Sequence, residues 1–280
     1  MKAKRLLGAA LAIGLGLGAI TGTTVAEAQG KKKGEPAAPA APGVAPTTKK
    51  NIVLIPKGVG WGMSPKQVAA AIDNVLDEAF KPLYKKVQPG VKMKALDAQL
   101  AEEKSAFRRS RIDFGNIPTG IDSTPLKGEY SYNNKESMMT YTRDGTKMHF
   151  FFIRDRLWKI IDERALGEGS AHGKDFADAA SKLAGTFGVP GRVIEPDFDK
   201  GRYGIEVDWK DAATHLRAVQ RGDAGLAIIL EDNVTLGSLD ALRTNKPQED
   251  NGIDPAVAAA IRKGDPEPPP ADEKKDGKKK

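Results

Sequence analysis

The apolar residues in the central part of the chain repeat with a helical period and then with a strand period, and this change occurs twice. They recur every three or four positions from Val68 to Phe80 and again from Phe176 to Phe187. Each helical stretch is followed by short runs whose period approaches two. Strands grouped after helices are typical of α+β proteins. The sequence therefore predicts an α+β fold, in which a helical hairpin and antiparallel β-meanders pack together between disordered tails.

The first helical stretch begins with a strong start signal. Ser64, Pro65 and Gln67 supply an N-cap, a proline at the first helical position and the second member of a capping box. A turn at residues 88–90 leads into a second helical pattern over residues 91–112. Two helices joined by a tight turn predict an antiparallel αα-hairpin.

The strand-like runs form two groups on either side of a third helix, which the pattern places at residues 174–187. They cover residues 51–56, 129–133, 137–142, 147–153 and 156–162, then 192–195, 203–209, 215–220 and 225–231. The run at 149–153 is apolar on both faces. It indicates a central strand covered on both sides, with a lipid or peptide groove as the alternative.

The amino-terminal end has the order of a secretory signal. Basic residues at positions 2–5 precede an uncharged run at 6–20, and small residues frame a cleavage site at 26–28. The apolar run is shorter than the roughly 20 residues of a membrane-spanning helix. We therefore expect residues 1–28 to be a cleaved signal peptide and the mature protein to be periplasmic or extracellular, in a bacterial envelope.

Composition divides the remaining chain into four segments. They are a disordered Lys/Ala/Pro linker (29–50), the helical hairpin region (51–127), the α+β meander body (128–245) and a disordered charged tail (246–280). We expect the two middle segments to share one core. The lysine-rich tails are interpreted as tethers with weak electrostatic contact to anionic lipid or wall polymer, or as plain solvated linkers.

The formal charge of +7 does not indicate nucleic-acid binding. Residues 51–245 carry 28 basic and 27 acidic side chains, so the excess lies outside the body. Binding to many phosphates requires cations clustered on a folded face. The absence of cysteine further excludes disulfides, thiolate chemistry, Cys-ligated zinc and a lipid-modified cysteine.

No residue set in the sequence points to catalysis, a cofactor or a metal. The three histidines, His149, His172 and His215, lack metal-ligand spacing. Neither a Gly-x-Ser-x-Gly elbow nor a His-Glu-x-x-His helix occurs. We therefore predict that the protein is not an enzyme and assign no catalytic, cofactor-binding or metal-binding residue.

Three loops resemble functional motifs but have structural interpretations. The glycine-rich stretch 167–173 lacks the spacing of a phosphate loop. Residues 195–201 cluster three carboxylates, but the following positions do not complete a calcium loop. Arg221-Gly222-Asp223 matches an adhesion tripeptide, yet it lies where a hairpin turn is expected.

The start of the first helix carries a family resemblance. Its sequence is Trp61-Gly62-Met63-Ser64-Pro65-Lys66-Gln67-Val68. It resembles small bacterial envelope domains that begin Gly-Met-Ser/Thr-x-x-x-Val and end in a three-stranded sheet, such as the outer-membrane lipoprotein small protein A family of the β-barrel assembly machinery. Gly188-Val189-Pro190 and Trp209-Lys210-Asp211 look like the same plan repeated in tandem. This chain lacks the lipid-bearing cysteine and has an additional long helix. The resemblance implies an envelope interaction module and carries over no catalytic residues.

These observations favour a non-catalytic exported envelope protein that acts as a protein-interaction or scaffolding module and binds an envelope protein or surface component. The alternatives are a periplasmic carrier for a small apolar ligand or lipid, and a hydrolase with dispersed catalytic residues. An apolar cavity beneath a meander would favour the carrier. A pocket that gathers His172 or His215 with carboxylates would favour the hydrolase. An exposed apolar patch on the helical hairpin would favour partner binding.

Overall fold

One antiparallel sheet of eight strands organises the described part of the chain. The computed structural model describes residues 43–115, 126, 128–198 and 201–245. The strands are β1 (Ile112–Asp113), β2 (Glu136–Arg143), β3 (Thr146–Ile153), β4 (Arg156–Ala165), β5 (Arg192–Ile194), β6 (Glu206–Lys210), β7 (Thr214–Arg221) and β8 (Gly225–Asp232). The helices are α1 (Pro65–Tyr84), α2 (Val91–Arg109), α3 (Phe176–Phe187), α4 (Asn233–Gly237) and α5 (Leu239–Leu242). The predicted α+β class is confirmed. The signal peptide, most of the linker and the carboxyl-terminal tail lie outside the described residues.

Two meanders meet at the centre of this sheet. The strand order is β1-β2-β3-β4-β8-β7-β6-β5. The last strand of each meander therefore pairs with the other, and Ile160 lies opposite Leu230 in that ladder. Helices precede both meanders in the chain, α1 and α2 the first and α3 the second.

Helix α1 forms where its sequence signals place it. The capping box between Ser64 and Gln67 is present. The helix buries Val68, Ile72 and Leu76 completely against the sheet, and burial of each such side chain contributes about 2 kcal/mol.

Helix α2 lies against α1 and is held by charges as well as by packing. Lys104 Nζ lies 2.6 Å from Asp77, and Arg108 pairs with Asp73. The helix ends at Arg109, earlier than the predicted residue 112, because the next residues leave it to form β1 beside β2.

The sheet is covered on both faces. Alternate residues of β3 show this: Phe150 and Phe152 belong to the core under the helices, whereas Phe151 and Ile153 belong to a second core on the opposite face. The prediction of a central strand covered on both sides is thus confirmed.

Two of the predicted strands do not exist. Residues 129–133 form bends, in which Glu129 turns towards the sheet and Asn133 has a φ of 60°. Residues 51–56 likewise form no strand, because the backbone of Ile52 is held by the Asp211 side chain at 2.6 Å rather than by a neighbouring strand.

The folded body extends further towards the amino terminus than the sequence predicts. Thr48 donates a backbone hydrogen bond to Lys210 (2.9 Å), Lys49 donates one to Phe187 (3.0 Å), and Ala45 is buried. The folded body therefore begins upstream of residue 51.

Helices α4 and α5 have no counterpart in the sequence prediction. Leu239 and Leu242 place α5 on the second core, opposite the helical hairpin. Within the described part, none of the helices combines the length and the apolar character that spanning a bilayer requires.

Candidate functional site

A group of charged side chains lies buried on the face of the sheet opposite the helical hairpin. Residues one apart on a strand point to opposite faces, so alternate positions from neighbouring strands converge there. We call this group the ionic cluster. Its members are Glu129, Lys159, Arg192, Glu206, Asp208, His215, Arg217 and Glu231. All but Glu129, which comes from the loop before β2, lie on β4–β8.

Arg217 occupies the middle of the ionic cluster. Its guanidinium donates to Glu129 at 2.9 Å, to Glu231 at 3.2 and 3.3 Å, and to Glu206 at 3.4 Å. One arginine thus binds three carboxylates from three separate segments.

Lys159 forms a second bridge within the cluster. Its ammonium lies 2.7 Å from Glu129 and 3.2 Å from Glu231, and 4.4 Å from the centre of the Trp158 ring. Burial of a lone ammonium is strongly disfavoured, and the two carboxylates and the ring compensate for the burial of this one.

His215 bridges two carboxylates across β7. Its Nδ1 lies 3.0 Å from Glu231 and its Nε2 lies 3.1 Å from Asp208. Asp208 is in turn bound by both nitrogens of the Arg192 fork. Burial lowers the pKa of His215, but these carboxylates outweigh burial and raise it above its ordinary value.

Neighbouring charges favour the ionised form of Glu129 and Glu231. Burial by itself raises the pKa of Glu231, but Lys159 and Arg217 outweigh it and hold that pKa well below its ordinary range. The same two cations lower the pKa of Glu129 against the effect of burial. The eight members of the cluster are four carboxylates, three cationic side chains and one histidine, so protonation of the histidine balances the charges among them.

The ionic cluster partly meets the condition set for a hydrolase, because it gathers His215 with two carboxylates. Both ring nitrogens are already bound to those carboxylates. A general base needs a nitrogen within reach of the proton that it abstracts. The contacts therefore favour a structural role for this histidine. In the described part of the chain, no set of His, Asp and Glu converges as metal ligands would.

The other two histidines lie elsewhere. His149 on β3 contacts Thr140 through Nδ1 at 3.0 Å. Its strand is three positions from β7, the strand of His215, which corresponds to a separation of roughly 14 Å between the two strands. His172 lies in the loop before α3, where burial and then the charge of Arg164 lower its pKa. The structure does not bring the histidines together.

The three loops that resemble functional motifs in the sequence have structural roles. Residues 167–173 form turns before α3, closed by the hydrogen bond from Gly167 N to Gly173 O at 3.1 Å. Asp197 pairs with Arg202 across the connection between β5 and β6. Gly222, with a φ of 62°, is part of the turn between β7 and β8.

Two cavities of the described body have several charged residues in their lining. One, of about 450 Å³, lies beside β1 and the turn between β3 and β4. The other, of about 130 Å³, borders the ionic cluster at Glu129 and Glu206. Charged side chains line both cavities, which disfavours a carrier of an apolar ligand.

Most of the exposed large apolar side chains in the described residues lie outside α1 and α2. Of the described hairpin's large apolar residues, Val91 alone is strongly exposed. Instead, Val193 (57% exposed), Phe198 (70%) and Tyr203 (75%) lie on β5 and its connection to β6. The two aromatic rings meet edge to face with centroids 5.9 Å apart. We call these three residues the edge patch.

Sequence reasoning missed the ionic cluster, although a signal for it exists. Charged residues alternate with apolar ones at Glu206 and Asp208, and again at His215 and Arg217. Such alternation is ordinarily interpreted as a solvent-facing side of a strand. Only the order of the strands shows that these positions lie side by side.

Comparison of the chain with protein-family models, with curated proteins and with solved structures found no match.

Proposed function

We propose that the protein is a non-catalytic, exported cell-envelope protein, whose α+β body is an interaction or scaffolding module that binds an envelope protein or surface component. The observation that carries the proposal is the edge patch. Three large apolar side chains are exposed at one end of the sheet, two of them in ring contact, and grouped exposed apolar side chains mark contact sites.

The mode of binding that fits best is addition of an extended partner segment beside β5. This strand is three residues long and ends the sheet, so it pairs on one side only among the described strands. An edge strand offers backbone donors and acceptors to an extended peptide. Val193, Phe198 and Tyr203 would contact the side chains of that segment.

The alternative functions have less support. A hydrolase would need a free proton acceptor, whereas His215 is bound on both nitrogens. A carrier of an apolar ligand would need an apolar cavity, whereas the two cavities described above have several charged residues in their lining.

Site-specific crosslinking tests the proposal. A photoreactive amino acid at position 193, introduced into the protein in its native cells, should form an adduct with one envelope protein, which mass spectrometry would identify. Phe198→Ser with Tyr203→Ser should reduce the yield of that adduct by about tenfold, because loss of two buried aromatic contacts exceeds about 1.4 kcal/mol.

Val91→Ser with Val234→Ser is the matched control, since both residues are exposed and lie outside the edge patch. It should leave the yield unchanged. An adduct equally abundant in the Phe198/Tyr203 variant, or none at position 193, would contradict the proposal.

Export is tested separately. Mass spectrometry of the native protein should find an amino terminus near residue 29 in the periplasmic or extracellular fraction. An intact Met1 in the cytosolic fraction would contradict export.

A further inference from the structure

The larger cavity lies at the opposite end of the sheet from the edge patch, beside β1. Its lining includes three cations, Arg111, Lys135 and Arg154, together with carboxylates. Its volume of about 450 Å³ is within the range of small-ligand sites.

Two of the three cations have no counterion among the described residues. Arg111 contacts Asp113 at 2.9 Å and Asp155 at 3.0 Å. Lys135 and Arg154, by contrast, form no ion pair with any part of the chain that the structure describes. Among the described residues, nothing therefore competes with an anion for these two side chains.

Glu136 lines the cavity, and its charge is neutralised by Arg243, which is not among the lining residues. Arg243 binds Glu136 through two nitrogens, at 2.7 and 3.0 Å. When Arg243 is counted, cations outnumber carboxylates by one, so Glu136 does not prevent an anion from entering.

The backbone places the two free cations in conformations that neither residue type favours. Lys135 has a φ of 57° and Arg154 a φ of 50°, and the amide of Arg154 donates to the carbonyl of Lys135 at 2.9 Å. A left-handed conformation is unfavourable for a residue with a β-carbon, and glycine, asparagine or aspartate usually occupies such positions. The turn between β2 and β3 follows that rule with Asp144 and Gly145.

Residues that are held in an unfavourable backbone conformation often have a role other than folding. We propose that the cavity binds an oxyanion, a phosphate group of a small ligand or of a lipid headgroup, through Lys135 and Arg154 with Arg111 as the third cation. This inference does not depend on the proposed function, because the cavity and the edge patch share no residue.

Titration with methyl phosphate at fixed ionic strength, followed by ¹H–¹⁵N NMR of the purified protein, tests the inference. Amide shifts should saturate at residues lining the cavity. Lys135→Asn with Arg154→Asn should weaken binding by at least about tenfold, because two charge-assisted hydrogen bonds are lost. Asparagine tolerates the left-handed region, so this variant should melt no lower than the wild type.

Lys92→Gln with Lys94→Gln on α2 removes the same charge from exposed positions outside the cavity and should bind as the wild type does. Co-sedimentation with phosphatidylglycerol vesicles distinguishes a lipid headgroup from a small soluble ligand as the source of the phosphate group. Vesicle binding that is lost in the Lys135/Arg154 variant indicates a lipid headgroup, whereas methyl phosphate binding without vesicle binding indicates a soluble ligand. Shifts that do not saturate, or an affinity that the variant does not change, would overturn the inference.

Discussion

At the scale of residues, the arrangement of buried charge is the most informative feature of this protein. A buried ion pair stabilises a fold little relative to an apolar replacement, but removal of one partner leaves a charge without compensation. In the ionic cluster, each carboxylate contacts at least one cation, and Arg217 contacts three of them. The cluster therefore links the loop at Glu129 to β6, β7 and β8.

Removal of the central arginine should destabilise the fold strongly. Arg217→Met leaves Glu129, Glu206 and Glu231 with fewer cations, and we expect a loss of about 3–5 kcal/mol in the free energy of unfolding, measured by urea denaturation. Arg221→Met, on the same strand, is the control. Its guanidinium is 3.9 Å from Glu129 and 31% exposed, so its loss should be below about 1 kcal/mol. Equal losses would contradict the account.

Protonation of His215 should make stability depend on pH. Because its folded pKa is raised, its stabilisation is fully present below the unfolded pKa of about 6.5 and is lost as pH rises through the folded pKa. The flanking Arg192 and Arg217 stay charged over this range, because neighbouring carboxylates raise the pKa of both guanidinium groups. The free energy of unfolding should thus fall with rising pH in the wild type, and His215→Gln should flatten that fall. A parallel pH profile in the variant would rule out this role.

Asp162 should also make the stability of the fold depend on pH, in a lower pH range than His215. Burial raises its pKa to about 6 against the opposing effect of Arg164. The ionised form is therefore disfavoured in the folded state, and stability falls as pH rises from about 4 to about 6. We expect Asp162→Asn to be more stable than the wild type at pH 8, by up to about 3 kcal/mol, and the difference to shrink near pH 4. Thermal melts at both pH values measure this, and an unchanged difference would contradict it.

At the scale of elements, the helix ends and strand contacts follow local rules. The Ser64 capping box starts α1, and Gly188 ends α3 in the left-handed conformation, with a φ of 71°. After it, Gly191 leads into β5 because it allows close packing. A β-carbon there would lie 2.4 Å from Val207 and 2.6 Å from the Trp209 ring.

Two glycine-to-alanine substitutions should have opposite effects. Gly191→Ala crowds the fully buried Trp209, and we expect a destabilisation of at least about 1–3 kcal/mol. Gly185→Ala lies inside α3, where a β-carbon meets nothing within 4 Å, so it should stabilise by about 0.5–1 kcal/mol. Thermal melts of the two variants measure both effects, and the same sign of change in both would contradict this account.

At the scale of the whole molecule, the two meanders are joined through the β4–β8 ladder. Seven residue pairs connect these strands, from Lys159–Glu231 to Ala165–Gly225. The cores on both faces continue across them, since Ile160 and Leu230 belong to one core and Ile161 and Ile229 to the other. We infer that the two meanders fold as one cooperative unit.

Native-state hydrogen exchange should report this architecture. The amides of Ile160, Ile161 and Leu230 should exchange most slowly, at the free energy of global unfolding, and those of Ile112 and Val193 on the edge strands should exchange fastest. Exchange of one meander at a distinctly lower free energy than the other would contradict a single cooperative unit.

The sequence by itself determined the elements and their class. The capping residues, the apolar stripe of α1 and the alternation along β2–β4 and β6–β8 are local patterns, and they predicted three helices and most strands within a few residues. The prediction of a strand at 129–133 was wrong because strand propensity is local, whereas the direction of Glu129 is decided by the distant Lys159 and Arg217.

The tertiary structure decided what those elements bring together. The strand order places charges from five strands in one buried cluster and leaves β5 at the edge of the sheet that the described residues form. The turn between β3 and β4 sets Arg154 beside Lys135 at a cavity. These sites depend on pairing between residues far apart in the chain, and period and propensity carry no information about which strands become neighbours.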